Sequence, residues 1–282
     1  MAPKPVQVSQ FGPDSTAEDY YNALEYSTLF ELERSFFRAA PDVTWDRYGV
    51  EALAFEGGGT KGVAYGGALR RLEKTGILAN IKYLSGTSAG AQTAALVAVG
   101  YSADEVIKVL ADAPWTELFD DSYGCFRDLY RLNTGFGIYK GDFLEKYLDG
   151  LFEAKLGIKN ITLGQLYART GVHIKLGVIS VKERAFVMLD YTNEPSMPLA
   201  LAARASSALP GIFTAVEWRD NRYVDGGLLG NLPSEAFPGM KLLVSYCVCV
   251  CVCACGVCVC VAPSLLSMAF FGQEAARKYT QP

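Results

Sequence analysis

Residues 51–55, EALAF, form a short apolar run of strand length, and three glycines interrupt it. The spacing then changes. VAYGGALRRLEKTG places its apolar residues at helical intervals and stops at Gly76, a residue suited to the left-handed cap that ends a helix. The unit repeats at once: IKYLS (81–85) reads as a strand, GTSAG (86–90) as a tight turn, and AQTAALVAVG as an alanine-rich helix closing at Gly100. Capping boxes start two more helices, Ser102 with Glu105 and Thr162 with Gln165. After them, VHIKLGVISV and RAFVMLDY look like a strand pair. Strand, turn and helix in alternation predict an α/β sandwich with a largely parallel sheet.

Outside this core the pattern differs. Ser15 and Glu18 make a further capping box, and helical spacing from Thr16 to about Arg38 predicts an N-terminal helical extension over residues 1–48. The aromatic stretch 115–141 reads as an irregular lid or a substrate-facing loop, although aromatics in loops more often form satellite core. No unit of 20 to 50 residues recurs, so a solenoid is not supported.

Composition narrows the class. A chain of 282 residues, half of them hydrophobic, can bury a large core. The net charge of −4 and the lack of a recurring basic cluster argue against nucleic acid as a partner. The N-terminus has neither the apolar core of a secretory signal nor the arginines of a transit peptide, which predicts a cytoplasmic protein.

Seven of the eight cysteines crowd into residues 247–260, alternating with valine, and only Cys125 lies elsewhere. Paired zinc ligands are usually separated by two to four residues, so this is a poor metal signature. An alternating TG tract read as TGT then GTG encodes the same Cys-Val alternation. Residues 247–282 therefore read as an anomalous low-complexity tail with the signature of a translated repeat. The charge-free stretch between Lys241 and Glu274 is long enough to span a bilayer, but Gly256 and Pro263 interrupt it. Period-two alternation with valine suits a strand better than a helix.

Candidate chemistry lies in the turns. Gly57, Gly59 and Gly62 fit G-x-G-x-x-G between a strand and a helix, the context of a dinucleotide site. That reading needs an acid at the end of the second strand, where Leu84, Ser85 and Gly86 stand instead. A nucleoside-triphosphate loop fails as well, because Gly62 follows Lys61 where a hydroxyl should hold magnesium. At 86–90, G-x-S-x-G sets Ser88 between strand and helix, either as an activated nucleophile or as an ordinary helix-capping serine. The single histidine, His173, lies inside an apolar strand and reads as structural, and no histidine follows Asp225, so an α/β-hydrolase triad cannot be completed. Asp225 in VDGGLLGNLP could accept a serine proton directly, or could belong to a common Asp-Gly turn.

The glycine loop with Lys61, the GTSAG turn, the segment ARASSALPGIF (203–213) and Asp225 in DGG together resemble the patatin-like phospholipases. The likeness covers residues 51 to about 246, which sets a domain over 49–246 with MKLLVSY as a further strand. It implies a three-layer α/β sandwich around a mostly parallel sheet. It further implies a lipid acyl hydrolase of phospholipase A type, acting on phospholipids or related glycerolipids at a membrane surface, with no cofactor or metal. Ser88 is then the nucleophile and Asp225 the proton acceptor, with Gly57, Gly58 and Gly59 as the oxyanion hole. Lys61, Gly62, Gly86, Gly90, Gly226 and Gly227 complete the motifs. A non-catalytic lipid- or protein-binding module on a truncated hydrolase fold is the alternative that the anomalous tail suggests. A nucleotide-dependent enzyme rests on the glycines alone.

Overall fold

The computed structural model describes residues 49–114, 117, 132 and 134–245, and the backbone of three strand segments at 250–254, 257–261 and 269–271. The N-terminal extension and much of the aromatic stretch expected from the sequence lie outside the described residues. Strands β1 (Ala52–Phe55), β2 (Tyr83–Thr87), β3 (His173–Ser180) and β7 (Leu242–Ser245) run parallel in the order β7-β1-β2-β3 and form the middle of the sheet. Antiparallel strands flank them: β4 (Ala185–Leu189), β5 (Val216–Trp218), β6 (Asn221–Asp225) and β10 (Ala269–Phe271). The sheet is thus mixed, with the expected parallel arrangement at its centre. MKLLVSY supplies β7 as the sequence predicted. The Cys-Val alternation becomes a separate antiparallel pair, β8 (Val250–Ala254) with β9 (Val257–Val261).

Side-chain alternation divides the sheet into two faces. Leu53, Phe55, Leu84, Ile174, Leu176 and Val178 point into the main core. Against them pack α1 (Tyr65–Lys74), α2 (Ala89–Ala98), α3 (Ala103–Ala111), α4 (Asp142–Leu156), α5 (Leu163–Thr170) and α6 (Leu199–Ser206). Helix α2 is rich in alanine because it lies close against β1, β2 and β3, where larger side chains would hold it away. On the second face, Ala52, Ala54 and Leu242 meet Ala236 and Phe237, with Leu232 and Met240 beside them. The sheet is therefore the middle layer of an α/β sandwich.

Two local features differ from the sequence pattern. Gly59–Ala64 is a 3₁₀ segment, so the α-helix after the glycine loop begins only at Tyr65. Strand β2 runs on through Gly86 and Thr87, which leaves Ser88 alone to make the turn into α2.

Candidate active site

Strand pairing brings Ser88 and Asp225 together. Leu176 and Gly177 of β3 pair with β2 and β4 at once, and Val178–Ser180 pair with β4 and β6 at once. A strand has two edges, so β2 and β6 must share the edge opposite β4. Thr87 ends β2 beside Gly177, and Asp225 ends β6, running the other way, beside Val178. The two strands meet head to head along one edge of β3, and both chains leave the sheet at the same gap. Ser88 is the next residue out on one side and Asp225 the last on the other.

Ser88 sits at φ 55° and ψ −124°, in the left-handed half of the map that non-glycine residues avoid. A helix-capping serine takes an extended backbone and accepts an amide of the first turn, whereas Ser88 makes no side-chain cap. The capping reading therefore fails, and the hydroxyl stands at the N-terminus of α2 without bonding that helix. The flanking glycines are required by close approach. A Cβ on Gly86 would stand 2.2 Å from the Gly90 carbonyl oxygen, and one on Gly90 would stand 2.3 Å from that of Phe55. Both contacts are with backbone and could not be relieved by a rotamer change.

Asp225 is 3% exposed, and its Oδ1 accepts the Gly227 amide at 2.7 Å. Burial pushes the carboxyl above the ordinary range, and the Gly227 amide and the neighbouring Ser88 hydroxyl oppose that shift. The DGG sequence does not form a two-residue hairpin. Gly226–Leu228 is a 3₁₀ turn in which a Cβ on Gly226 would collide with Gly177, and Gly227 has Asp225 Oδ1 3.0 Å from its own Cβ position.

The glycine loop lies against the same gap. A Cβ on Gly57 would fall 3.2 Å from both Ser88 Cβ and the Thr87 carbonyl, and 2.3 Å from Asn231 Oδ1. One expectation needs correction: the Gly57 amide donates to the Asn231 carbonyl at 2.9 Å, so it is not available to an oxyanion. The Gly58 and Gly59 amides take no acceptor among the described residues. Gly59 adopts φ +56° and opens the 3₁₀ segment that carries Lys61, and the Cβ position of Gly62 is 3.0 Å from Ala89 at the start of α2.

His173 stands four residues before Gly177 on β3, on the order of 13 Å away at strand rise. It bonds Asp190 at 3.1 Å and packs among Tyr83, Tyr191 and Phe237, which gives it the structural role expected from the sequence. Asn231 is a site residue that motif spacing did not single out. Its Nδ2 donates to the Gly57 carbonyl at 3.0 Å and to Glu56 Oε1 at 3.1 Å, tying the glycine loop to the loop that follows Asp225. Ser206 is another such residue, while its neighbour Ser207 lies outside the site. The Ser88 amide donates to Ser206 Oγ at 2.9 Å, and Gln92 Nε2 donates to Ser207 Oγ at 2.9 Å. Among the described residues, no group of three or more His, Cys, Asp or Glu is placed to hold a metal.

Comparison with known proteins bears on this arrangement. A sequence model described as patatin-like phospholipase matches residues 53–238. An uncharacterized protein of Acanthamoeba polyphaga mimivirus is 33% identical over 189 residues, covering 67% of this chain and 61% of that protein. The uncharacterized protein YqhO of Bacillus subtilis is 33% identical over 194 residues, covering 64% of each. The chain thus spans less than two thirds of the length of these curated relatives. A probable lipid hydrolase of Invertebrate iridescent virus 6 is 27% identical over 189 residues, covering 65% of this chain and 61% of that protein. Among solved structures, VipD from Legionella pneumophila shares the fold with a TM-score of 0.53 at 21% identity, over 70% of this chain and 49% of VipD.

Proposed function

The chain belongs to the patatin-like phospholipase family, and from that premise we propose that it is a lipid acyl hydrolase in which Ser88 and Asp225 form a two-residue catalytic unit. The observation that carries the proposal is the meeting of β2 and β6 along one edge of β3, which sets Ser88, on a left-handed backbone, beside the buried carboxylate of Asp225. Asp225 accepts the hydroxyl proton as Ser88 attacks an acyl carbonyl, and returns it to the departing alcohol. Water then releases the fatty acid from the acyl-serine with Asp225 again as base. The Gly58 and Gly59 amides, together with the N-terminus of α2, supply donors and positive potential where the oxyanion develops. Fixed donors of this kind stabilise that charge without reorganising.

The site's surroundings support a lipid substrate. Leu228 and Leu229, directly after the Asp225 turn, are 58% and 66% exposed. Leu209 follows Ala208, whose carbonyl accepts the Asp225 amide, and is also exposed. Exposed Ile212 and Phe136 adjoin it, joined by the Gly211 amide donating to the Phe136 carbonyl at 2.6 Å. Apolar side chains left in water around one site suit a phospholipid or glycerolipid surface. No described helix is long and apolar enough to cross a membrane, so the contact proposed is peripheral.

Fatty acid release from phospholipid vesicles, followed with fluorophosphonate labelling, tests the reading. Ser88→Ala should abolish both labelling and release, and Asp225→Asn should abolish release. Full activity in either variant refutes the dyad. Folded wild-type protein that neither labels nor hydrolyses would indicate a non-catalytic binding module.

A further inference from the structure

The Ser88 amide belongs to neither of the elements it joins. The parallel pairing of β2 with β3 ends at Thr87, and in α2 Ser88 contributes its carbonyl, which accepts from Ala91 and Gln92 at 2.9 and 3.2 Å. A positive φ at a residue with a side chain persists only where its surroundings hold it. Here the partner is a side chain 118 residues further along. Ser206, fully buried at the end of α6, accepts the Ser88 amide on Oγ at 2.9 Å and donates its own proton to the Gly177 carbonyl at 2.6 Å. Gly177 is the β3 residue beside Thr87. One hydroxyl thus joins the nucleophile's backbone to the strand on which β2 and β6 meet.

We propose that Ser206 is a positioning residue for the nucleophile, a role that rests on Ser88 being that nucleophile. Its hydroxyl has two effects. It fixes the Ser88 backbone at the φ and ψ that aim the side chain at Asp225. It also occupies the Ser88 amide, so that this donor is withheld from the oxyanion and the glycine loop must supply the donors. The neighbouring Ser207 gives an internal control. It accepts from Gln92 at 2.9 Å and donates to the Ala203 carbonyl at 3.0 Å, joining the same two helices without touching Ser88.

The test compares Ser206→Ala, Ser206→Cys and Ser207→Ala with wild type, measuring fluorophosphonate labelling rate, kcat and KM on a short-chain ester, and Tm. Misplacing a reacting group by about an ångström costs on the order of 100-fold. Ser206→Ala should therefore lower kcat and the labelling rate roughly 10- to 100-fold with KM within about twofold. Ser207→Ala should keep near wild-type rates even where its Tm falls. Should Ser206→Ala fail to fold, Ser206→Cys decides, because a thiol is a poor acceptor in nearly the same volume. Wild-type labelling in folded Ser206→Ala or Ser206→Cys overturns the proposal, as does an equal loss of rate in Ser207→Ala. Absence of Ser88-dependent labelling in the wild type instead overturns the underlying reading of Ser88.

Discussion

Replacing Asn231 with alanine should separate catalysis from substrate binding. The side chain gives two hydrogen bonds through Nδ2, one to the Gly57 carbonyl at 3.0 Å and one to the Glu56 carboxylate at 3.1 Å. Asn231 is half-buried, so each bond is worth about 1 kcal/mol, toward the low end for the charged acceptor, and the pair about 2 kcal/mol. For a domain of this size that lowers Tm by about 4–8 °C. The catalytic effect is separate. The Gly57 amide remains bonded to the residue 231 carbonyl, so the loop stays in place but loses the side chain that fixes Gly57 from its other peptide group. If the Gly58 and Gly59 amides stabilise the oxyanion, loosening them should lower kcat by roughly 10- to 100-fold at nearly constant KM. Asn231→Asp should be at least as damaging, because it sets a second carboxylate against Glu56 in place of a donor. Steady-state kinetics on a soluble ester and calorimetry on the same preparations provide the assay. An Asn231→Ala variant with the expected fall in Tm and wild-type kcat would show that the glycine loop needs no such anchor, and the oxyanion assignment would lose its geometric support.

Two further predictions concern Asp225 and the apolar rim. Because burial raises the Asp225 carboxyl, kcat/KM should fall on the acid side with an apparent pKa above the ordinary aspartate value of about 3.9; a limb at or below that value would mean that desolvation does not govern the base. The same shift has a definite sign for stability. A carboxyl with a raised folded-state pKa contributes stability below its unfolded pKa, and this is lost as pH rises through the folded pKa, so Asp225→Asn should be at least as stable as wild type at pH 7, as urea unfolding would show. Leu228→Ser with Leu229→Ser should reduce hydrolysis of vesicle phospholipid about tenfold or more while leaving a monomeric ester untouched, since burying each leucine in an apolar phase is worth about 1.5–3 kcal/mol. Equal losses on both substrates would place these leucines in the acyl pocket rather than at a lipid surface.

The two side chains proposed to react were legible in the sequence because each stands at the end of an apolar strand and is followed by a glycine-bearing turn. A Cβ on Gly86 would meet the backbone of Gly90 and Ala91, so that constraint is local and leaves a short motif, whereas Gly90 is kept bare by the Phe55 and Glu56 carbonyls at the end of β1. What assembles the site is not local. That β6 shares an edge of β3 with β2, and so points Asp225 at Ser88, depends on strands almost 140 residues apart, and no periodicity in VDGG announces it. Gly57 illustrates the same limit. It is bare because Asn231 Oδ1 occupies its Cβ position, yet its amide is taken by the Asn231 carbonyl, so the spacing that marks it as a glycine cannot tell which of the three amides is free. Ser206 and Asn231 are hidden for a further reason. Ser206 acts on backbone groups alone, which every residue carries, and the one side chain that Asn231 meets, Glu56, lies 175 residues away, so neither leaves a short spacing that could expose it. A sequence motif therefore finds the groups proposed to react, while the groups that hold them are found only where the fold closes.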